Sequence, residues 1–238
     1  MPGRMKIAFW NVENLFEAET HRPPQDCKNG RGPQSAKELA AKIQRLAGCV
    51  NRFFGSAGPD LLALAEVHTE RILKELESKL ADSYRYVWEP AGTATETGLA
   101  VLARESVVRS MDTLSVQRPA GMANARPRCM VVLCDFQGCG EPFVLAVNHW
   151  KSLVIHNDAA APVLPPAGLP ATASANAKGG TNDLDRAESA EWLGNWLANA
   201  CPTRSAVVVG DSNSEPTAYY SDELRLRCSR RFGSALRT

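Results

Sequence analysis

Short apolar segments that end in carboxylate, amide or imidazole side chains are the feature that most restricts the fold of this sequence. Four such segments have the length of a strand: Lys6 to Trp10 before Asn11 and Glu13, Asp60 to Ala65 before Glu66, Phe143 to Asn148 before His149 and Lys151, and Ser205 to Val209 before Gly210 and Asp211. Strand ends converge on one cleft in α/β folds, so we expect these polar side chains to share a site.

Helix signals alternate with these strands. Ser35 and Glu38 form a capping box ahead of apolar residues spaced by four and three, Thr69 is a second N-cap, and Asp183 is expected to cap a helix that runs to Ala200. Further strands are predicted at Tyr84 to Trp88, Gly98 to Ala103, Val107 to Leu114 and Cys129 to Phe136. The later strands have no long helices between them, which predicts hairpins and a mixed sheet.

Length and composition indicate one globular domain over residues 1–238, with a loop rich in Ala and Pro at 153–181. The net charge of +1 gives no overall basic surface, so a polyanionic substrate would need locally placed groups. We expect no membrane span and a monomer. The seven cysteines show no zinc-ligand spacing, and we expect reduced thiols and a cytoplasmic location.

Oxygen ligands such as these carboxylates and amides suit Mg²⁺ or Mn²⁺, which bind few protein groups and retain several waters. Each residue also has a purely structural interpretation. Glu66 could favour the start of the following helix, and Asp211 with Asn213 could form an Asx turn. His149 alone could be a hydrogen-bonded polar residue without a catalytic role. The joint pattern favours a metal-dependent site.

Five segments resemble, in order, the motifs of the endonuclease/exonuclease/phosphatase superfamily, whose members include deoxyribonuclease I-like nucleases. They are Ile7 to Asn14, Leu64 to Val67, Thr97 to Leu102, Asn148 to Ser152 and Gly210 to Asn213. The last, Gly-Asp-x-Asn, is the most specific of the five. The resemblance covers nearly the whole chain and implies an α/β four-layer sandwich, with two mixed β-sheets face to face and helices outside.

The same resemblance implies roles for individual residues. Glu66 would bind a divalent metal, with Asn11 and Glu13 beside it. Asp211 would deprotonate the attacking water, while Asn213 would orient Asp211 or the phosphate. His149 would donate hydrogen bonds to the phosphoryl oxygens. Predicted substrate contacts are Arg126, Asn148 and Lys151, and for Arg126 and Lys151 a solvated surface charge is the alternative.

One departure from the family pattern concerns the C-terminal end. Family members normally finish with a Ser-Asp-His motif, whereas here Ser221 and Asp222 are followed by Glu223. The remaining histidines, His21, His68 and His156, do not fall where that motif is expected. We therefore expect the sequence to be truncated at its C-terminus, with low activity if 238 residues is the full length.

Three functions remain open from sequence alone. The first is a metal-dependent phosphodiesterase that cleaves DNA or RNA as an endonuclease or exonuclease. The second is a phosphoesterase for small molecules or lipids, which the near-neutral charge favours because strong nonspecific DNA binding needs many Lys and Arg contacts to phosphate. The third is an inactive binding module, or a fragment, that keeps Asp211 and Asn213 for structural reasons.

Overall fold

The computed structural model describes residues 4–17, 32–54, 58–90, 97–115, 129–150 and 180–211, with side chains in the last range from residue 189 onward. Arg126, Lys151 and Asn213 lie outside these ranges, as do residues 153–179 of the predicted loop and the C-terminal segment.

The elements are, in order, β1 (Ile7–Leu15), α1 (Ala36–Val50), β2 (Leu61–Val67), α2 (Glu70–Glu77), β3 (Tyr84–Glu89), β4 (Gly98–Arg104), β5 (Val108–Leu114), β6 (Cys129–Phe136), β7 (Phe143–His149), α3 (Gly180–Ala200) and β8 (Ala206–Asp211).

Two four-stranded sheets organise these strands. Sheet A has the order β1-β2-β4-β3, in which β1 and β2 are parallel and the other pairs antiparallel. Sheet B has the order β5-β6-β7-β8, with β5, β6 and β7 antiparallel. The N–H of Val144 donates to Ser205 O and the N–H of Trp150 to Asp211 O, both at 2.9 Å. Because both strands advance in the same direction between these bonds, β7 and β8 are parallel, and the predicted mixed pairing is confirmed.

The chain divides into two compact units. The first comprises Met1–Val116, Arg128–Asn148 and Arg204–Gly210, and the second comprises Gln117–Pro127, His149–Thr203 and Asp211–Thr238. The division between the units falls between Asn148 and His149 in β7 and between Gly210 and Asp211 in β8. None of the helices within the described ranges is both long and apolar enough to cross a membrane.

Two hydrophobic cores fill the first unit and lie on opposite faces of β2, because successive side chains of this strand point to alternate faces of the sheet. Leu61, Ala63 and Ala65 contribute to the core between the sheets, together with Val101 of β4 and Val132 of β6. Leu62 and Leu64 point to the opposite face, where α1 and α2 cover sheet A through buried residues that include Leu39, Ile43, Leu46, Ile72, Leu73 and Leu76. A strand buried on both faces needs the nearly continuous apolar run seen in this sequence.

The N-termini of α1 and α2 are fixed by the predicted caps. Ser35 Oγ accepts from the N–H of Glu38 at 3.2 Å, and Thr69 Oγ1 accepts from the N–H of Ile72 at 3.4 Å. Glu38 Oε2 accepts from the N–H of Gln34 at 2.7 Å, one residue before the cap. The third helix begins at Gly180, so Asp183 lies inside it and the prediction that Asp183 caps this helix was wrong.

Candidate functional site

β1 and β2 both leave regular strand geometry at the end where the predicted metal ligands lie. Their register runs without a break to Asn11↔Ala65 and resumes at Leu15↔Val67, so β1 uses four steps where β2 uses two. The additional residues of β1 are Glu13 and Asn14, at φ 52° and 56°. Positive φ is uncommon in residues other than glycine, and such bulges redirect side chains. The prediction that β1 ends at Trp10 was wrong, because the strand continues through the bulge to Leu15.

Glu66 lies in the matching irregularity of β2, at φ 69°. Simple alternation would place its side chain with Leu62 and Leu64 in the core beneath the helices. Instead Val67 occupies that core, and Glu66 is half-buried. The bulge therefore turns an acidic side chain away from the apolar core while the next residue resumes the packing.

The Glu66 carboxylate is held from β1 by two hydrogen bonds. Asn11 Nδ2 donates to Glu66 Oε1 at 3.1 Å, and the N–H of Asn14 donates to Oε2 at 2.6 Å. Asn11 Oδ1 in turn accepts from the N–H of Glu13 at 3.0 Å, which fixes the orientation of its amide. Glu66 does not cap α2, because Thr69 does.

These donors fit a hard divalent cation. Such a cation prefers oxygen ligands, and the two carboxylate oxygens of Glu66 lie beside the Asn11 amide at the bulged strand ends. Across the described residues, no group of three or more His, Cys, Asp or Glu side chains gathers at one point. A cation at Glu66 and Asn11 would therefore complete its shell with water, as Mg²⁺ commonly does. Glu13 is exposed beside them.

Asn148, in the first unit, is buried at 4% exposure and lies against Gly210 of β8. Gly210 has φ 155°, and a Cβ built there would stand 2.1 Å from both the backbone oxygen and Oδ1 of Asn148. No residue with a side chain fits at this distance, so the close approach of β8 to β7 requires glycine. The motif residue Gly210 thus has a structural function that the sequence prediction did not assign.

His149 and Asp211 end β7 and β8 and belong to the second unit. His149 is buried at 4% exposure, and the next residue, Trp150, donates its N–H to the backbone oxygen of Asp211 at 2.9 Å. Two predicted catalytic residues therefore lie at neighbouring ends of parallel strands. Asn213, Lys151 and Arg126 remain predictions, since they fall outside the described ranges.

Two further residues of this region were not predicted. Asn14 was quoted only as part of a motif, yet its N–H is a direct partner of the Glu66 carboxylate. Lys42 of α1 donates from Nζ to the backbone oxygen of Glu13. No local pattern indicates either contact, because each depends on the bulge and on how α1 packs beside β1.

Two facing mixed sheets with helices on an outer face define an α/β sandwich, which confirms the predicted fold class. The sequence profile of the Endonuclease/Exonuclease/phosphatase family matches residues 6–169. The chain belongs to this family of phosphoester hydrolases, as its motifs predicted. No curated protein matches the sequence.

Solved structures share the fold at low sequence identity. An endonuclease/exonuclease/phosphatase family protein from Bacteroides thetaiotaomicron has a TM-score of 0.59 and 15% identity, over 94% of this chain and 69% of that one. The mannosyl-6-phosphatase of Bacteroides thetaiotaomicron VPI-5482 has a TM-score of 0.58 and 16% identity, over 93% and 70%. D. rerio TDP2, complexed with a single strand DNA product, has a TM-score of 0.50 and 13% identity, over 93% and 64%.

Proposed function

We propose that this chain is a divalent-metal-dependent phosphodiesterase that hydrolyses nucleic acid, with Mg²⁺ or Mn²⁺ as its cofactor. The observation that carries the proposal is the Glu66 carboxylate, which β1 holds through Asn11 and Asn14 at the bulged ends of two parallel strands. A glutamate in a positive-φ bulge is costly to keep for packing alone, and such conformations cluster at functional sites.

Glu66 and Asn11 would hold the cation, with Glu13 close by. When bound, the cation supplies positive charge that neutralises the phosphoryl and leaving oxygens. Asn11 orients the carboxylate by its hydrogen bond and is itself oriented by the N–H of Glu13, so the oxygen donors are positioned before a metal arrives. Little reorganisation is then needed on binding.

Hydrolysis requires the oxygen of water to bond to phosphorus, the ester P–O bond to break, and a proton to leave the water. We assign Asp211 as the acceptor of that proton and Asn213 as the residue that orients it. His149 donates hydrogen bonds to phosphoryl oxygens as charge develops there. Arg126, Asn148 and Lys151 are the proposed substrate contacts. Positioning and electrostatics of this kind account for most of the catalysis in phosphoryl transfer.

Support for nucleic acid as substrate comes from D. rerio TDP2, which shares the fold and was solved with a single strand DNA product. The rival is a small-molecule phosphatase, supported by the likeness to the mannosyl-6-phosphatase. The net charge of +1 favours this rival without excluding nucleic acid, because locally placed groups can hold phosphate without a broadly basic surface.

A substrate panel with Mg²⁺, Mn²⁺ and EDTA tests the proposal. We expect metal-dependent cleavage of single-stranded DNA or RNA that is lost in Glu66→Gln and Asp211→Asn. The control Glu75→Gln changes an acidic residue of α2 whose ion-pair partner, Arg71, lies in the same helix, and it should behave as the parent protein. Cleavage of sugar phosphates but never of nucleic acid would instead establish the phosphatase, and ligand binding without turnover would establish an inactive module.

We further propose that the protein is a cytoplasmic monomer. The support is that the cysteines within the described ranges, Cys49, Cys129, Cys134, Cys139 and Cys201, are free thiols. Cell fractionation and light scattering test this pair of statements, and recovery in an extracellular fraction or a concentration-independent dimer would contradict them.

A further inference from the structure

Helix α1 faces the bulged end of β1 across a cleft of about 320 Å³. It is lined by Trp10, Asn11, Val12 and Glu13 from the strand and by Lys42, Arg45, Leu46 and Cys49 from the helix. The four helix residues are spaced so that they form one stripe of α1. Lys42 is half-buried, and Arg45, one turn further along, is exposed. The two cations therefore differ in environment although they line the same cleft.

Lys42 and Glu66 contact the same peptide group from opposite sides. Lys42 Nζ donates to the backbone oxygen of Glu13, and the N–H of Asn14 donates to Glu66 Oε2 at 2.6 Å. The Glu13 carbonyl and the Asn14 N–H belong to one planar peptide unit, so these two bonds together fix the orientation of that peptide. The side chain of a helix residue is thereby connected to the carboxylate of the proposed metal ligand.

This peptide needs such support because both of its residues have positive φ, at 52° for Glu13 and 56° for Asn14. Positive φ is unfavourable for residues with a Cβ and persists only where surrounding contacts enforce it. A rotation of the peptide would remove the Asn14 N–H from Glu66. The ammonium group also polarises the peptide, which strengthens the hydrogen bond that its N–H donates to the carboxylate.

We infer that Lys42 is a positioning residue for Glu66 and acts through the peptide between Glu13 and Asn14. The inference rests on the proposed function, since it takes Glu66 as the metal ligand. Lys42 itself need not touch the metal or the substrate. Its contribution is to hold the Asn14 N–H in place, so that the Glu66 carboxylate keeps a fixed direction.

The decisive variant is Lys42→Met, which keeps most of the length of the side chain and removes its donor. Arg45→Met is the matched control, because Arg45 lines the same cleft but makes no hydrogen bond or ion pair with any residue in the described ranges. Lys42→Arg restores a charged donor. Three measurements apply to each variant: hydrogen exchange of the Asn14 amide by NMR, Mn²⁺ affinity by calorimetry, and kcat and KM on single-stranded DNA.

We expect Lys42→Met to speed exchange of the Asn14 amide and to weaken Mn²⁺ binding about tenfold, the scale of one lost charge-assisted hydrogen bond. The value of kcat should fall at saturating DNA with KM for DNA little changed. Lys42→Arg should recover most of both effects, and Arg45→Met should match the parent protein. If Lys42→Met proves unstable, Lys42→Leu, which also lacks a donor, is measured in its place.

Unchanged Asn14 exchange in Lys42→Met overturns the inference, and so does faster exchange without weaker Mn²⁺ binding. An equal loss in Arg45→Met also overturns it, because a general effect of positive charge would then be responsible. Failure of the proposed function looks different: the parent protein would bind no Mn²⁺ and cleave no substrate. Asn14 exchange would still decide in that case whether Lys42 holds the peptide.

Discussion

Asn11 and Glu66 are 55 residues apart in the sequence and are joined by a hydrogen bond of 3.1 Å from Asn11 Nδ2 to Glu66 Oε1. The bond crosses between parallel strands just where their register breaks. Because the other end of the Asn11 amide accepts from the N–H of Glu13, the side chain has one orientation that satisfies both partners. Asn11 thus connects the geometry of the bulge to the direction of the Glu66 carboxylate.

Asn11→Ala should weaken the proposed metal site far more than it destabilises the protein. Loss of a group that orients a metal ligand commonly lowers metal affinity or activity about ten- to a hundredfold, whereas one partly exposed hydrogen bond contributes about 1 kcal/mol to folding. Mn²⁺ calorimetry and urea denaturation measure the two effects separately.

The control for this prediction is Asn51→Ala. Like Asn11, Asn51 uses both ends of its amide, donating to Lys79 O at 3.2 Å and accepting from the N–H of Ala81 at 2.8 Å, but it lies directly after α1 and bonds neither Glu66 nor β1. The Asn51→Ala variant should be less stable than the parent protein and should bind Mn²⁺ with unchanged affinity. Equal losses of Mn²⁺ affinity in both variants would argue against a specific role for Asn11.

Gly210→Ala should destabilise the protein by more than about 2 kcal/mol, because a Cβ would meet Asn148 at 2.1 Å on a backbone at φ 155°. The midpoint of urea denaturation measures the effect. Gly48→Ala is the opposite case: beyond the backbone of α1 itself, no atom of the described residues lies within 4 Å of an added Cβ, so a gain of about 0.5–1 kcal/mol is expected. A parent-like midpoint for Gly210→Ala would show that β7 and β8 are further apart than described.

Cys134 should resist alkylation in the folded protein at pH 8. Burial, and secondarily the negative charge of Asp112, raises its pKa from 9.0 to about 12, so the reactive thiolate is scarce. Burial also raises the pKa of Cys129. Mass spectrometry after iodoacetamide treatment should show labelling of the half-buried Cys49 and Cys139 before labelling of the buried Cys129 and Cys134. Labelling of Cys134 as fast as Cys139 would contradict this prediction.

The same shift has a consequence for stability at alkaline pH. The unfolded thiol ionises near pH 9.0, while the folded Cys134 stays neutral until about 12. Its contribution to stability is therefore complete below pH 9 and is lost as the pH rises from 9 to 12. Urea denaturation of the parent protein and of Cys134→Ala across this range would show the difference between them shrinking.

The features that the sequence predicted well are local. Ser35 and Thr69 cap their helices as expected, because an N-cap needs only a suitable side chain two or three residues before a free N–H. The nearly continuous apolar run from Leu61 to Ala65 likewise predicted a buried strand. The family motifs predicted the fold class, and they named Asn11 and Glu66 as neighbours before their hydrogen bond was seen.

The missed features depend on contacts between distant segments. The end of β1 was misplaced because strand patterns assume one residue per step, whereas Glu13 and Asn14 are additional residues in a bulge. Nothing in the sequence near Lys42 indicates a backbone oxygen 29 residues away as its partner. The close approach of Gly210 to Asn148 was missed for the same reason, although Gly210 lay in a recognised motif.

The paired bulges allow β1 and β2 to contribute both to the hydrophobic core and to a polar network. Val12, Leu15, Leu64 and Val67 all remain in the core beneath the helices, although the residues between them take part in a polar network. Substituting Glu66 or Asn11 removes no side chain from either core. The polar end of sheet A and its interior can consequently change independently of one another, so the residues at the rim of the sheet can be replaced without repacking its core.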